Sequence, residues 1–293
     1  MARPRLRSGS SCLAAARALI VPPGRRENPL RRPGRGRDPM LDLRLFRLRT
    51  FRIALLINMV GVFVAFGYFL FVAQYFQLVL GLSPLAAGLV MAPSGLGFIA
   101  GSQLAPQIVR VIRPAYLIGS GLAASAVGLL LMTRIGVTGG VPLALVASVI
   151  IALGLAPVCG ITTELIIGSA PQEQASAAAG VSETGAELGD ALGISVLGSI
   201  SVALYRGDLT GSLPDDLPGE AERSVRDTLG GAVHTAAELP GELGDAVLRA
   251  AREAFLHGVH VTAGVAAVAA LALSAVAVLR LRHIPAGELS SEH

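Results

Sequence analysis

The sequence predicts an all-α integral membrane protein with six transmembrane helices. Hydrophobic residues make up 53% of the 293 residues and charged residues only 15%, whereas soluble domains carry about 25% charged residues. The mean hydropathy is +0.64, although long polar stretches are included in it. Six apolar stretches also reach or nearly reach the ~20 residues with which an α-helix crosses the hydrocarbon of a bilayer. Composition and segment length therefore predict the same class.

The first segment, residues 1–39, differs from the rest of the chain. It holds ten arginines and six prolines, and its only apolar run, Cys12–Val21, is interrupted by Arg17. That run is too short to span a bilayer, and it leads to two prolines instead of the small residues of a signal-peptide cleavage site. We expect a disordered Arg/Pro-rich tail. The abrupt change of composition at Asp38 also allows that this segment was not part of the ancestral protein.

The region 40–283 is predicted to form the transmembrane bundle. Short connections separate the first four apolar stretches, so the corresponding helices should be antiparallel neighbours. The six predicted helices are Ile53–Leu80, Ala86–Val109, Ala115–Met132, Pro142–Thr163, Ala175–Tyr205 and Val259–Leu281.

A polar segment, residues 206–257, separates the fifth helix from the sixth. Within it, Glu220–Ala237 and Gly241–Leu256 keep an apolar face at helical spacing, which predicts two short surface helices. Residues 284–293 form a polar tail after the last helix.

Arginine placement predicts the orientation in the plasma membrane. Cytoplasmic loops carry an excess of basic residues close to the ends of the spans. The arginines before helix one, between helices two and three, and after helix six all belong to one side: Arg44, Arg47, Arg49, Arg52, Arg110, Arg113, Arg280 and Arg282. We therefore expect both termini in the cytoplasm and residues 206–257 outside.

Three carboxylates interrupt the predicted fifth helix. Glu183, Glu187 and Asp190 lie within about 60° of one another on a helix that turns by ~100° per residue, so they share one stripe. Burying an ionised carboxylate against lipid costs roughly 2.5 to 3.5 kcal/mol on insertion scales, so this stripe should face protein or water. Such carboxyls could bind and release a proton or a cation. For Glu183, solvation near the cytoplasmic surface is an equally good interpretation.

The same helix carries glycines at every fourth residue. Gly185, Gly189 and Gly193 form a smooth ridge about 130° around the helix from the acids. Small residues at this spacing let another helix approach closely. The pattern predicts that one face of the fifth helix packs while the other is wet.

Further polar residues lie in the first and fourth helices. They are candidates for lining a substrate cavity, although amides and phenols within a span often serve only as hydrogen bonds between helices. These candidates are Asn58, Tyr68, Gln74, Tyr75, Gln77 and Glu164.

The sequence gives no indication of an enzyme, a cofactor or a metal site. It contains no phosphate-binding glycine loop and no nucleophile motif such as GxSxG. Its two cysteines, Cys12 and Cys159, cannot provide a disulfide framework or a metal-ligand cluster. Because fourteen of the 24 arginines lie in the first 52 residues, the net charge of +4 does not indicate nucleic-acid binding.

Five segments in order resemble one family. They are similar to the C-terminal half of the fourteen-helix drug/proton antiporters of the major facilitator superfamily, which expel quaternary ammonium compounds and other lipophilic cations. The segments are Asp38–Phe51 (DPMLDLRLFRLRTF), Val72–Pro93, Gly101–Leu122, Gly168–Ile200 (containing SETGAELGDALG) and Ala250–Val259 (AAREAFLHGV). The resemblance extends from Asp38 to about His283.

The resemblance implies a six-helix bundle equivalent to the second half of the facilitator fold. By this analogy helices one and four line a central cavity, two and five meet the other half, and three and six face lipid. Gln74, Tyr75 and Gln77 match the family's QYxQ stretch. Glu183, Glu187 and Gly189 match its ET-x-x-ELG string, but Asp190 departs from it because that position is usually small.

The family's first half has no counterpart in this sequence. Facilitators rock one half against the other around a central site, so three interpretations stay open. The chain could pair with a separate N-terminal half or with a second copy; it could be a truncated remnant without transport activity; or it could be a scaffold that binds a partner helix through the Gly185, Gly189 and Gly193 ridge.

Overall fold

The computed structural model of the protein describes residues 43–214 and 217–287. These residues form helices and connections, with no strand among them. The tail predicted over residues 1–39 and most of the C-terminal tail lie outside the described residues. The helices are α1 (Arg49–Gln74), α2 (Pro84–Ile108), α3 (Pro114–Met132), α4 (Val141–Gly168), α5 (Ala175–Leu192), α6 (Gly198–Leu209), α7 (Gly219–Asp227), α8 (Leu229–Glu238) and α9 (Gly241–Leu281).

Six helical segments of the described chain are long and apolar enough to cross a membrane, which confirms the predicted fold class. Each overlaps one apolar stretch of the sequence. The first five begin one to four residues earlier than predicted, and the last begins 18 residues earlier, at Gly241 and not at Val259. The segments are Arg49–Val79, Pro84–Ile108, Pro114–Met132, Val141–Gly168, Gln172–Leu209 and Gly241–Leu281.

Helix α4 lies at the centre of the bundle and contacts α1, α2, α3 and α5. Small residues permit the closest of these contacts. A Cβ atom on Gly128 of α3 would lie 2.8 Å from the Ala147 carbonyl oxygen of α4, and the backbones of Gly121 and Gly154 meet directly. This close approach gives van der Waals contact between helices where apolar burial against lipid provides no driving force.

Local sequence determines where the spans begin. Ser83 caps α2 because its hydroxyl accepts a hydrogen bond from the Ala86 amide at 3.3 Å, and Pro84 occupies the first turn. Proline is favoured there because an N–H group in the first turn would have no acceptor inside the helix, so its absence costs no hydrogen bond. Gly81 has a φ of +70°, a left-handed conformation that glycine adopts without steric cost. The α1–α2 connection is therefore short and sharp.

Two spans contain a π-helical turn. Tyr75–Val79 continues α1, and Gly193–Leu197 joins α5 to α6. A π turn takes up one extra residue, and it is frequent at functional sites. The Gly193–Leu197 turn lies near the middle of its span, beside Phe63 and Gly67, whereas the Tyr75–Val79 turn lies at the end of the bundle that carries the long α6–α9 connection. We call this end the loop end, and the opposite end, where α1 begins and α9 ends, the terminal end.

The α6–α9 connection differs from the two surface helices predicted for it. The expected helix over 220–237 is divided into α7 and α8 at Thr228, which has extended backbone (φ −154°, ψ 153°). Its hydroxyl accepts a hydrogen bond from the Gly231 amide at 3.0 Å, which caps α8. The expected helix over 241–256 is not separate: α9 runs for 41 residues into the last span, because no proline or capping residue interrupts it.

Candidate functional site

Helix α1 contacts α5 and α4 on two different sides. Leu55, Met59 and Phe63 lie against the glycines of α5. Asn58 and Tyr68 instead donate hydrogen bonds to side chains of α4. The two contact sides are therefore separated around the α1 surface.

Phe66 and Phe69 occupy the α1 surface between these two sides, and both are exposed. They form the floor of a groove whose walls are α4 and α5, which we call the α4–α5 groove. Because both side chains are exposed, no other part of the described chain covers the groove.

Of the α5 carboxylates, Asp190 lies toward this groove, whereas Glu183 and Glu187 lie about 160° around the helix from the glycines that pack on α1. Helices α1 and α5 are parallel, because Leu55, Met59 and Phe63 meet Gly185, Gly189 and Gly193 in the same order. When two parallel helices in contact are viewed along their axes, the same side of the contact lies clockwise from the contact on one helix and anticlockwise from it on the other. The groove side of α1 is the side of Asn58, which precedes Met59, so on α5 it is the side of Asp190, which follows Gly189 by ~100°.

The three acids differ in depth and exposure. Measured from Ala175 at 1.5 Å per residue, Glu183, Glu187 and Asp190 lie about 12, 18 and 22 Å along α5. Glu183 and Glu187 are exposed on this chain, and Asp190 is half-buried. The Oδ1 atom of Asp190 is buried without a hydrogen-bond partner. The deepest carboxyl is therefore the least solvated of the three.

The glycine ridge of α5 is covered by α1 of the same chain. A Cβ atom on Gly189 would lie 3.1 Å from the Met59 carbonyl carbon, and one on Gly193 would lie 3.1 Å from that of Phe63. A Cβ atom on Gly185 would meet only the Leu55 side chain, at 2.9 Å. This face is occupied, so it is not available to a helix of another protein, and the scaffold interpretation through this ridge was wrong.

Asn58 is buried, with 3% of its surface exposed. Its Nδ2 donates to Thr162 Oγ1 at 3.0 Å and to Thr163 Oγ1 at 3.1 Å. Both threonine hydroxyls donate to backbone carbonyls one turn earlier in α4, so they can only accept from the amide. This fixes the amide orientation and leaves the Asn58 Oδ1 atom buried without a partner.

The two tyrosines are interior residues that connect helices. Tyr68 donates a hydrogen bond to Ser148 Oγ in α4. Tyr75, in the π turn, donates to the Gly136 carbonyl at 2.9 Å. These contacts are those expected of polar residues that hold helices together.

The remaining cavity candidates are not gathered around the groove. Gln77 is exposed and donates to its own helix at Ala73 O, 3.3 Å away. Glu164 is exposed near the end of α4. Gln74 is half-buried at the loop end and lines a separate pocket.

Several polar residues at these contacts were missed by the sequence analysis. Thr162, Thr163 and Ser148 of α4 receive the hydrogen bonds from α1. Hydroxyl residues in an apolar helix satisfy their own backbone, so the sequence does not distinguish these three from other serines and threonines.

Charged side chains join the helices at the loop end. His257 Nδ1 of α9 lies 2.6 Å from Asp208 Oδ2 of α6, and Arg252 donates to the Leu78 carbonyl of the π turn at 3.3 Å. Within residues 43–214 and 217–287, no three His, Cys, Asp or Glu side chains are placed to hold a metal ion.

Comparison with known proteins identifies the family. Residues 8–194 match the Major Facilitator Superfamily. The chain is 34% identical to the multidrug efflux pump LfrA of Mycolicibacterium smegmatis over 84% of this chain and 49% of LfrA. It is 28% identical to the tetracenomycin C resistance and export protein of Streptomyces glaucescens over 87% of this chain and 48% of that protein. It is 30% identical to the methyl viologen resistance protein SmvA of Salmonella typhimurium over 74% of this chain and 44% of SmvA.

The fold has counterparts among solved structures. A bacterial homolog of the human lysosomal transporter Spinster, in an inward-facing and occupied conformation, aligns with a TM-score of 0.61 and 22% sequence identity. The alignment covers 84% of this chain and 52% of that one. This chain also spans about half the length of the curated relatives it matches. Because the family match covers more than half of the chain, this protein belongs to the Major Facilitator Superfamily.

Proposed function

We propose that this chain is the C-terminal half of a proton-coupled efflux transporter that expels lipophilic cationic drugs across the plasma membrane. The feature that supports the proposal most is the stripe that Glu183, Glu187 and Asp190 share on α5, with Asp190 on the groove side and its Oδ1 atom buried without a partner. An acidic stripe attracts cations, and a carboxyl that gains and loses a proton can exchange protons for a cationic substrate. The names of the relatives support the substrate class, because methyl viologen is an organic dication.

The exposed apolar faces support a partner in the membrane. Helix α2 is the least buried of the six spans, and Leu85, Leu89 and Leu96 are all largely exposed along it. In a facilitator, the two halves rock against each other around a central site. The covering partner in our proposal is a separately encoded N-terminal half or a second copy of this chain, and the rest of the surface contacts lipid.

We infer that the terminal end faces the cytoplasm. Arg49 and Arg52 begin α1, and Arg113 donates to the Arg282 carbonyl at 3.1 Å. The basic residues next to the spans are therefore concentrated at one end, which is the pattern of cytoplasmic ends. The α6–α9 connection is then outside.

Among the acids, we assign the coupling role first to Glu187, with Asp190 and Glu183 as the other members of the stripe. Glu187 lies one turn deeper than Glu183, and Asp190 Oδ1 is buried. Substitution by the amide keeps the shape of each side chain and its hydrogen bonding but removes its titration.

The experiment measures ethidium efflux from cells that carry this chain with a candidate N-terminal half, with and without the proton gradient. We expect Glu187→Gln to abolish gradient-driven efflux at normal protein abundance. Glu173→Gln, an exposed acid outside the stripe, is the matched control and should behave like the unmodified chain. Gradient-driven efflux that survives Glu187→Gln, Asp190→Asn and Glu183→Gln would contradict the assignment. No efflux by the unmodified chain under any pairing would favour the transport-inactive remnant.

A further inference from the structure

A pocket that has no residue of α4 in its lining lies at the loop end of the bundle. It has a volume of about 330 Å³ and lies between α1, α6, the α7–α8 junction and α9. Its lining includes the buried residues Phe71, Tyr205 and Phe255 and the more exposed Ile194 and Val202. Ligand sites are typically concave and mostly apolar, with volumes of ~300 to 1,000 Å³ and few polar groups. This cavity has the size and the composition of a site for a small organic molecule, and we call it the loop-end pocket.

One continuous helix face forms the longest wall of the pocket. Ile194, Gly198, Ser201, Val202 and Tyr205 all line it, and their spacing of four, seven, eight and eleven residues places them on one side of the helix. Gly198 is the small residue of this wall. A Cβ atom there would meet nothing within 4 Å, so the space beside it is open.

Two polar side chains of the pocket have no partner in the described structure. Ser201 is 4% exposed, and neither its hydroxyl nor the half-buried Gln74 amide makes a hydrogen bond. The fully buried unpaired atoms of the described residues belong to other side chains, Asn58, Asp190 and Arg226, so the polar atoms of Ser201 and Gln74 are not fully enclosed by protein. A ligand with a polar group could therefore satisfy them.

An ion pair lies at the rim. Asp227 lines the pocket, and its carboxylate contacts Arg206 at 3.1 Å, with side chains 69% and 56% exposed. Exposed pairs of this kind contribute little to stability. The carboxylate can therefore exchange Arg206 for another cation at little cost.

We propose that the loop-end pocket binds a lipophilic organic cation, with the apolar lining, Ile194 and Val202 above all, against its apolar body and Asp227 beside its charge. That the site lies on the release side of the membrane rests on the proposed function. Binding of the cation does not.

The test measures binding of radiolabelled methyltriphenylphosphonium to the full chain in lipid nanodiscs. Asp227→Asn should weaken binding roughly fivefold, since a charge contact near the surface is worth about 1 kcal/mol. Arg206→Gln should instead tighten binding, because it frees the same carboxylate. Asp208→Asn, which makes the same charge change at the same end but outside this pocket, should leave binding unchanged.

A second pair of variants tests the cavity itself. Gly198→Leu should fill the pocket and reduce binding at least tenfold. Gly180→Leu, at another helical glycine with nothing within 4 Å of its Cβ position, should leave binding intact. Neutral triphenylphosphine oxide should bind more weakly than the cation and should not respond to Asp227→Asn.

Two results would overturn the proposal: weaker binding in both Asp227→Asn and Arg206→Gln, or undiminished binding in Gly198→Leu. Because the assay needs neither transport nor a partner half, its outcome is independent of the ethidium experiment. If binding follows the expected pattern but no efflux is observed, the proposed function is contradicted and the assignment of the loop-end pocket as a cation site still holds.

Discussion

The glycine ridge between α5 and α1 supports a graded prediction, in which one methyl group is added at each of three positions. Gly189→Ala and Gly193→Ala would each place a Cβ atom 3.1 Å from a carbonyl carbon of α1, and closer still to the carbonyl oxygen. Favourable contacts between carbon atoms lie at about 3.5 to 4.0 Å. Because backbone atoms cannot rotate away, the two helices must separate, at a cost of about 1 to 3 kcal/mol for an overpacked contact.

Gly185→Ala is expected to behave differently. Its Cβ atom would meet only Leu55 Cδ1 at 2.9 Å, and the next nearest atom is Leu55 Cγ at 3.8 Å. The end of a leucine side chain can change rotamer, so this variant should lose less than about 1 kcal/mol. Gly180→Ala, with open space at its Cβ position, is the control and should gain helix propensity of up to about 1 kcal/mol.

The assay is thermal unfolding of the full chain in detergent, followed by far-ultraviolet circular dichroism. We expect Tm to be lowest for Gly189→Ala and Gly193→Ala, close to that of the unmodified chain for Gly185→Ala, and equal or higher for Gly180→Ala. If Gly189→Ala melts with the control, the ridge does not hold α5 against α1 and the close contact is not a source of stability.

Three further predictions concern single contacts and topology. Tyr68→Phe removes the hydrogen bond to Ser148 and should lower the free energy of unfolding by about 1 kcal/mol, whereas Tyr116→Phe, at an exposed tyrosine, should have no effect on the melting temperature. Thr228→Ala removes the α8 cap, and the loss of a cap costs about 1 kcal/mol. The amides of the first turn of α8 should therefore exchange hydrogen roughly fivefold faster, as measured by mass spectrometry. Unchanged exchange would show that the cap is dispensable. Cysteine placed at Ser212 in a cysteine-free background should react with an impermeant maleimide on intact cells, and labelling only after lysis would reverse the orientation.

Helix number and approximate bounds could be predicted from sequence because a span needs a run of apolar residues, and such a run is visible without any tertiary contact. The α7–α8 break at Thr228 and the continuity of α9 could not be predicted in the same way. Both stretches keep an apolar face at helical spacing, and the difference between them is a single hydroxyl that caps α8. The π turns at Tyr75–Val79 and Gly193–Leu197 are also invisible, because they arise from packing and not from residue type.

The sharing of one helix face by three acids of α5 could be predicted, because helical periodicity alone places Glu183, Glu187 and Asp190 together. Which way it points required the contacts of Gly189 with Met59, because the direction of a face depends on the neighbouring helix. The loop-end pocket required even more: its walls come from segments up to 185 positions apart, from Leu70 to Phe255, and no local pattern relates them.

The uninterrupted course of α9 has a mechanical consequence. Its 41 residues make a rod about 62 Å long, roughly twice the ~30 Å thickness of the hydrocarbon core. A helix without proline or a break resists bending where it leaves the bilayer. A force that α8 exerts on the projecting part of α9, on which it packs, is therefore transmitted along the helix to the last span. A small tilt imposed near Gly241 therefore becomes a displacement of Leu281 at the opposite end of the bundle, where α9 and Arg113 meet.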